Sequence, residues 1–197
     1  MSRGRPREFD EAAALDAAME VFWRKGYGGT SLADLTGAMG INKPSLYAAF
    51  GNKEALFVSA LTQYVGRHGV PHMQHLQDPG KSLRERVRDY LKSVATMLFD
   101  PRLPGGCLVA SSTCELGSDC LPSGVSRAIE ETNESTRSTL VDFFQAEAAL
   151  GTLASPRSPQ ALADHLLALQ YGLAVMARDG ASHATLGEVI EQAASTF

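Results

Sequence analysis

Four polar side chains in the first third of the sequence have the chemistry of phosphate ligands: Thr30, Ser31, Tyr47 and Lys53. Thr30 and Ser31 begin one helix-forming segment and Lys53 begins another, where unpaired backbone N–H groups favour anionic oxygens. Tyr47 directly follows the apolar Leu46, so its hydroxyl is expected to point out of a helical bundle. These groups flank one short helix, which indicates binding of a phosphate-rich partner.

The helices that must hold these residues follow from apolar periodicity and capping residues. Asp10 suits the cap of a first helix, and Ser31 with Asp34 has the pattern of a capping box for a second helix that ends by Gly40. Pro44 fits the first turn of a third helix. The predicted helices cover about residues 11–25, 31–39, 43–50 and 52–67.

The two short helices have the order and spacing of a helix-turn-helix motif, whose second helix enters the major groove of DNA. An ordinary pair of short helices in a bundle would show the same apolar spacing, with a core of Leu32, Leu35, Ile41 and Leu46. The outward-facing Tyr47 and Lys53 favour the DNA-binding interpretation.

The rest of the chain also predicts helices, over about residues 83–98, 105–117, 123–150, 159–179 and 185–197, with Thr185 and Glu188 capping the last. Residues 66–80 contain several glycines and prolines and predict an irregular link. Strand-type alternation is absent. We therefore predict an all-α protein of about nine helices. A helix-turn-helix domain would cover residues 1–51 and a larger helical domain residues 52–197, with helix 52–67 as connector.

The composition is that of a soluble globular protein, with 197 residues, 44% hydrophobic residues and a net charge of −4. No apolar run approaches the ~18 residues of a membrane span, and the charged N-terminus lacks the apolar centre of a secretory signal. We expect a cytoplasmic protein with no membrane partner. An acidic chain can still bind DNA through a local basic face.

The run GYGGTSLADLTGAMGINKPSLYAAFGNKEALF, residues 26–57, resembles the DNA-binding domain of the TetR/AcrR family of transcriptional regulators. The matching elements are Gly26-Tyr27, Thr30-Ser31, Gly40, Leu46-Tyr47, Phe50 and the run Lys53 to Phe57. The resemblance implies a homodimeric repressor that binds a palindromic double-stranded DNA operator. It also implies that a small-molecule effector in the C-terminal domain releases the DNA.

On the matching positions, the resemblance implies phosphate contacts from Thr30 or Ser31, Tyr47 and Lys53. It implies contacts to base edges from the start of the recognition helix, at Lys43, Pro44 and Ser45. Common members carry larger side chains where this sequence has Ala33, Ala48 and Ala49, so base readout here is lean. The basic arm of Arg3, Arg5 and Arg7 is expected to supplement it in the minor groove; a solubilising tail is the alternative.

The resemblance also implies where the dimer and effector sites lie. The dimer would form through the last two long helices, with the candidates Leu162, Leu166, Leu169, Leu173, Met176, Val189 and Ile190. The effector would bind among the middle helices, with the candidates Tyr90, Met97, Cys107, Phe143, Phe144 and Tyr171. Core packing within one chain is the alternative role for both sets.

Three cysteines, Cys107, Cys114 and Cys120, lie within fourteen residues. Cys107 follows two glycines at a possible helix N-terminus, where a thiolate is favoured. A regulator that senses oxidants or electrophiles through Cys107 is therefore an alternative to a conventional effector. A second reading treats the cysteines as small apolar core residues.

The spacing of His68, His72 and His75 resembles a metal-binding pattern, but Gly69 and Pro71 interrupt the helix that would align the three rings. We predict neither a metal site nor a cofactor.

Two other classes of protein remain as alternatives. An enzyme would need a catalytic motif, and the sequence has no phosphate loop, nucleophile elbow, zinc signature or dinucleotide fingerprint. A helical protein-interaction module without DNA binding is the other alternative. The salt dependence of DNA binding distinguishes that module from a regulator.

Overall fold

The computed structural model describes residues 9–118, 121–153 and 157–197, and in these ranges it contains nine α-helices and no strand. The helices are α1 Glu11–Lys25, α2 Leu32–Met39, α3 Lys43–Phe50, α4 Lys53–Tyr64, α5 Leu83–Leu98, α6 Leu108–Glu115, α7 Ser123–Ala149, α8 Pro159–Arg178 and α9 His183–Ala194. For the part of the chain that is described, the predicted all-α class and the number of helices are confirmed.

The first helices begin and end where their capping residues predict. The Asp10 carboxylate accepts two backbone N–H groups of the first turn of α1, at 2.9 and 3.2 Å. Ser31 and Asp34 form the expected capping box of α2, and Gly40, with φ 66°, ends that helix in the left-handed conformation. Asn42 starts α3 by accepting a backbone N–H at 2.9 Å, a cap that the sequence analysis did not identify.

The prediction of an irregular link over residues 66–80 was wrong for most of that segment. Helix α4 ends at Tyr64, and the chain continues as a π-helical turn, Val65–Gly69, and a 3-10 segment, Val70–Gln77. The side chains of His72 and Leu76 are buried there. Burial of these side chains stabilises helical turns that glycine and proline alone would disfavour.

The last helix begins two residues before its predicted start. Ser182 caps α9, and its hydroxyl accepts the backbone N–H of Thr185 at 3.0 Å. Thr185 therefore lies inside the first turn instead of capping the helix. Serine and threonine are both good caps, so the spacing to Glu188 was not sufficient to choose between them.

A single apolar core runs through the N-terminal helices and the rest of the chain. Helix α4 packs on α1 along its length: its Phe57 packs edge-on against Phe22 at 5.1 Å, and its Tyr64 packs edge-on against Trp23 at 4.6 Å. The Trp23 indole N–H also donates to the backbone carbonyl of Gly106 at 3.1 Å. The helix-turn-helix region is therefore fixed against the segment that precedes α6.

None of the helices in the described ranges combines the length and the apolar character needed to cross a membrane.

Candidate DNA-binding surface and effector cavity

The exposed face of α3 is formed by residues from its first two turns. Lys43, Pro44, Tyr47 and Ala48 are exposed, whereas Leu46 is fully buried and fixes the helix to the domain. Tyr47 is 47% exposed, as its position after Leu46 predicts. Among the residues that the structure describes, neither Lys43 nor Tyr47 has a side-chain hydrogen-bond or ion-pair partner, so both side chains are available to a ligand.

Thr30 and Ser31 occupy different environments at the start of α2. Thr30 is 3% exposed, and its hydroxyl donates to the backbone carbonyl of Gly26 at 2.6 Å. Ser31 is exposed, but its hydroxyl donates to Asp34 at 2.8 Å as part of the capping box. Thr30 thus stabilises the turn before α2, and of the two residues only Ser31 faces the surface.

Lys53 connects the start of α4 to the turn between α1 and α2. Its ammonium donates to the backbone carbonyl of Tyr27 at 2.7 Å and lies 4.1 Å from the centre of the Tyr27 ring. Burial lowers the pKa of Lys53, and the nearby Glu115 carboxylate opposes that shift. One of its three donors is therefore used within the chain, which leaves two for an outside oxygen.

The same turn is held from the other side by Glu115, a residue that the sequence analysis did not single out. Its carboxylate, at the end of α6, accepts the backbone N–H of Tyr27 at 3.1 Å and that of Gly28 at 2.9 Å. Gly26 has φ 71°, and a Cβ there would clash with Glu115 Oε1. We call this contact between Glu115 and the α1–α2 turn the Glu115 clasp. No sequence spacing could reveal it, because the partners are separated by almost 90 residues.

Arg3, Arg5 and Arg7 of the predicted basic arm lie outside the described residues, as does Cys120.

The most enclosed cavity among the described residues, called the main cavity below, has a volume of about 250 Å³. It is lined by residues of α4, α5, α7, α8, the π-helical turn, the 3-10 segment and the segment around Cys107. Of the six predicted effector residues, Tyr90, Met97, Cys107 and Tyr171 line it. Phe143 and Phe144 do not. Phe144 is fully buried and stacks on Phe197 at 5.8 Å, and Phe143 lies under the Arg86 guanidinium at 5.4 Å.

The sequence analysis did not assign Tyr64 and His72 to the effector site, although both line this cavity. Tyr64 lies on the apolar stripe of α4, and His72 lies in the segment that predicted an irregular link. Aromatic residues on a helix stripe are usually core, so apolar spacing alone could not identify these two residues.

The two described cysteines lie at opposite ends of α6. Cys107 is buried, caps α6 and lines the main cavity; its sulfur accepts the backbone N–H of Ala110 at 3.5 Å. Cys114 is exposed. Both also line a shallower groove beside Val175 and Arg178 of α8. The expected location of Cys107 at a helix N-terminus is confirmed by this geometry.

His68, His72 and His75 do not converge on one point. His68 packs edge-on against Trp23 at 5.0 Å, while His72 Nδ1 is paired with the Ser93 hydroxyl at 2.7 Å. Within the described residues, no group of three metal-ligating side chains is positioned to hold an ion.

Most of the predicted dimer contacts are core residues of the single chain. Leu162, Leu166, Leu173 and Ile190 are at most 5% exposed, and only Leu169, Met176 and Val189 are partly exposed. The outer face of α8 instead carries the small or apolar residues Ala161, Ala168, Gly172 and Val175, all exposed. We call this set the outer α8 face. Spacing could not distinguish the two faces because α8 is apolar on both.

Two family models cover most of the chain. Residues 14–60 match the model described as "Bacterial regulatory proteins, tetR family", and residues 84–193 match "Tetracyclin repressor-like, C-terminal domain". The chain belongs to the TetR family. It is therefore a DNA-binding transcriptional regulator, as the motif in residues 26–57 predicts.

This TetR-family chain is 35% identical over 181 residues to the HTH-type transcriptional repressor ComR of Escherichia coli (strain K12). The match covers 92% of this chain and 85% of ComR. It is 31% identical over 183 residues to the HTH-type transcriptional repressor BdcR of the same strain, and that match covers 91% of this chain and 84% of BdcR. Among solved structures, it is similar to a cysteine mutant of the TetR-family regulator CifR complexed with 26-bp double-strand operator DNA. The identity is 37%, the TM-score is 0.84, and the match covers 98% of this chain and 100% of CifR.

Proposed function

We propose that the chain is a homodimeric repressor that binds a palindromic DNA operator through α3 and releases it when a small molecule occupies the main cavity. The observation that supports this most is the pairing of an exposed, unpartnered Lys43–Tyr47 surface with a separate apolar cavity in one chain. The repressors ComR and BdcR have related sequences, and CifR, solved in complex with operator DNA, has a related sequence and the same fold.

The proposed DNA contacts are divided by chemistry. Tyr47, Ser31, the free donors of Lys53 and the N-terminal arm with Arg5 and Arg7 would bind phosphates. Lys43, Pro44 and Ser45 would face base edges, since they begin the recognition helix. Thr30 would act indirectly, by holding the turn that precedes α2.

The proposed domains are residues 1–51 for DNA binding and residues 52–197 for effector binding and dimerisation, with α4 between them. An effector shifts the equilibrium only if it binds the two dimer geometries unequally. Helix α4 can transmit that difference because its Phe57 packs in the DNA-binding region while its Tyr64 lines the cavity.

For the dimer, we propose the outer α8 face as the contact, with the partly exposed Leu169, Met176 and Val189 at its edge. Small residues such as Ala168 and Gly172 allow two helix backbones to approach closely. A two-fold dimer matches a palindromic operator, because half-sites one helical turn apart lie ~34 Å from each other. We also propose a cytoplasmic location and a regulatory role without enzymatic activity, as for other regulators of the family.

Thiol modification of Cys107 is a second candidate for the releasing signal, since its side chain lines both the main cavity and the outer groove. A disulfide with Cys114 within α6 is excluded. Seven residues of helix separate the two Cα atoms by about 10 Å, beyond the ~7 Å limit for a bridge. An adduct of Cys107 with an electrophile needs no second cysteine and is the form of this mechanism that we propose.

A gel shift with DNA flanking the gene for this protein, over a salt series, tests the proposal. We expect tight binding. The logarithm of the binding constant should fall linearly with the logarithm of the salt concentration, because DNA releases counterions when the protein contacts its phosphates. Binding that is weak and insensitive to salt, on this DNA and after genome-wide selection, would favour the interaction-module alternative. Alkylation of the parent protein and of a Cys107→Ser variant in parallel tests the role of Cys107, because the exposed Cys114 also reacts.

A further inference from the structure

The lining of the main cavity carries no permanent charge. Among the described residues that line it, none is Asp, Glu, Lys or Arg, and the titratable groups are tyrosines, histidines and one thiol. Burial lowers the pKa of His72 to about 4 and also lowers the pKa of His68. Burial raises the pKa of Tyr64, Tyr90 and Tyr171. At neutral pH these rings are uncharged, so a charged ligand would lose its hydration without gaining a counter-charge.

The buried charges of the described residues are used outside this cavity. Arg86 and Glu147 are the two buried charged side chains there. The Arg86 guanidinium binds both carboxylate oxygens of Glu147 and donates to the backbone carbonyl of Leu76 at 3.0 Å. Neither side chain lines the cavity. Because separating a buried pair leaves an uncompensated charge, this pair cannot provide a counter-charge for a ligand.

The tyrosine hydroxyls of the lining already interact within the chain. The Tyr90 hydroxyl donates to Gln170 Oε1 at 2.6 Å, and the Tyr171 hydroxyl donates to an asparagine of α7 at 3.1 Å. The Tyr64 hydroxyl is closed to solvent and interacts with the Cys107 side chain. These groups do not require a polar partner from a ligand.

The other walls offer mainly apolar surface. The hydroxyls of Thr136 and Thr139 donate to backbone carbonyls one turn earlier in α7, each at 2.9 Å. Much of the remaining surface is formed by valine and methionine side chains: Val65, Met73, Val94, Met97 and Val109. A ligand therefore gains binding free energy chiefly by burying apolar area.

The cavity opens to solvent between the 3-10 segment and α7. Of the described residues that line it, only Val70, Ser135 and Thr139 are exposed. Tyr90 and Val94, on the α5 side, are each 1% exposed. The exposed residues form a mouth and the buried residues form the inner end, so a small molecule can enter without unfolding of the core.

The volume of the cavity limits the size of the ligand. An apolar cavity of roughly 150 Å³ accommodates benzene. By proportion, about 250 Å³ accommodates a molecule of roughly ten non-hydrogen atoms. Such a molecule is enclosed almost completely, so a charge on it would lie inside the cavity and not in the surrounding water.

We propose that the main cavity selects an uncharged, mainly apolar effector of roughly ten non-hydrogen atoms and excludes ions of the same shape. This inference rests on the proposed function, because it names the ligand class for the same cavity. The selection depends on what the lining lacks, namely a counter-charge, and not on one particular hydrogen bond.

Calorimetry on the full-length protein without DNA tests this selection with three probes that differ in charge alone. tert-Butylbenzene is neutral, trimethylphenylammonium is a permanent cation and benzenesulfonate is a permanent anion. The three molecules have the same number of non-hydrogen atoms and nearly the same shape. We expect tert-butylbenzene to bind at least about tenfold more tightly than either ion, because neither ion finds a counter-charge.

A matched pair of variants tests whether the missing counter-charge is the cause. Gln170→Glu adds one carboxylate to the lining with little change in shape and keeps an acceptor for the Tyr90 hydroxyl. It should lower the preference for tert-butylbenzene over trimethylphenylammonium by about tenfold, because the cation gains a counter-charge. Gln160→Glu makes the same change at an exposed position of α8 outside the lining and should leave the preference unchanged.

Several results would overturn the proposal: no binding of tert-butylbenzene at its solubility limit, equal binding of the three probes, or tighter binding of either ion. Tighter binding of the cation would show that the tyrosine rings act as an aromatic cage. A folded Gln170→Glu protein with an unchanged preference would also count against it. If Gln170→Glu fails to fold, the comparison of the three probes on the parent protein still decides.

Failure of the proposed function is a separate result, since the DNA-binding assay contains no ligand. Operator binding without binding of tert-butylbenzene would keep the regulator and reject this ligand class. Binding of tert-butylbenzene without operator binding would do the reverse.

Discussion

At the scale of single residues, the surface of α3 depends on two side chains that are free to meet DNA. Lys43 is exposed and without a partner among the described residues, and it begins α3, the proposed recognition helix. We expect Lys43→Ala to weaken operator binding by about 1–3 kcal/mol and to relax the sequence preference if Lys43 contacts a base. A contact to phosphate would instead lower the salt slope by about one unit.

The matched control is Lys92→Ala, which removes an exposed lysine paired with Glu191 on α9. That variant should bind the operator like the parent in a quantitative gel shift. Equal affinity of Lys43→Ala and the parent on every sequence would show that α3 does not read DNA through Lys43.

His72 gives a second prediction at this scale. Its pKa in the folded protein is lowered to about 4 by burial, and by the neighbouring His75, from an ordinary value of 6.5. Between pH 6.5 and about 4, His72 binds more protons in the unfolded chain than in the folded chain. The contribution of His72 to stability is therefore complete above pH 6.5 and falls as the pH drops towards 4. We expect a loss of roughly 3 to 4 kcal/mol, since the pKa values differ by about 2.5 units at about 1.4 kcal/mol per unit.

Urea unfolding at a series of pH values measures this loss. His72→Gln should flatten the pH dependence over that window. His165→Gln, at an exposed histidine, should leave it unchanged. A His72→Gln curve parallel to that of the parent would contradict the assignment.

At the scale of elements, α6 has a function at each end. Its first turn, with Cys107, lines the cavity, and its last residue forms the Glu115 clasp with the turn between α1 and α2. That turn also receives the Lys53 ammonium. Helix α6 is therefore a second connection between cavity and DNA-binding region, beside α4.

We expect Glu115→Ala to destabilise the protein by about 1–3 kcal/mol and to weaken operator binding, because the backbone N–H groups of Tyr27 and Gly28 lose their acceptor. Glu115→Gln keeps only one of the two acceptor oxygens, and its NH2 group would face the other N–H, so it should recover only part of both losses. Thermal unfolding and gel shifts measure the two effects, with Glu188→Ala at an exposed position of α9 as control. Parent-like behaviour of Glu115→Ala would mean that the clasp does not position the turn.

The helices also show how much of the structure could be predicted from the sequence. Local signals were sufficient for α1 to α4, because Asp10, Ser31 and Gly40 act on neighbouring backbone groups. They were not sufficient for Val65–Gln77, where burial of Leu76 overrides the glycines and proline. They were also not sufficient for Glu115 and Tyr64, because these residues acquire their roles through partners that are distant in the sequence.

At the scale of the whole molecule, the outer α8 face is the surface on which dimerisation can be tested. Val175 is 59% exposed there and lies among small residues. We expect Val175→Arg to convert the proposed dimer to a monomer and to abolish operator binding, because it places a bulky charge in the proposed contact. Leu150→Arg changes an even more exposed apolar residue, 74% exposed, and should leave the dimer intact.

Analytical ultracentrifugation distinguishes these outcomes. A Val175→Arg protein that remains dimeric, or a parent protein that is monomeric at the concentrations that bind DNA, would reject this face as the interface.

The contacts of Trp23 also bear on how such a regulator can be recombined with its relatives. The indole of Trp23 packs on Tyr64 and donates to the backbone carbonyl of Gly106. One side chain of α1 therefore contacts both α4 and the segment before α6. In a chimera that joins this N-terminal region to the effector domain of a relative, the Trp23 indole would face residues that do not provide these contacts. We expect such hybrids to fold well only when the residues that surround the indole are exchanged together with α1.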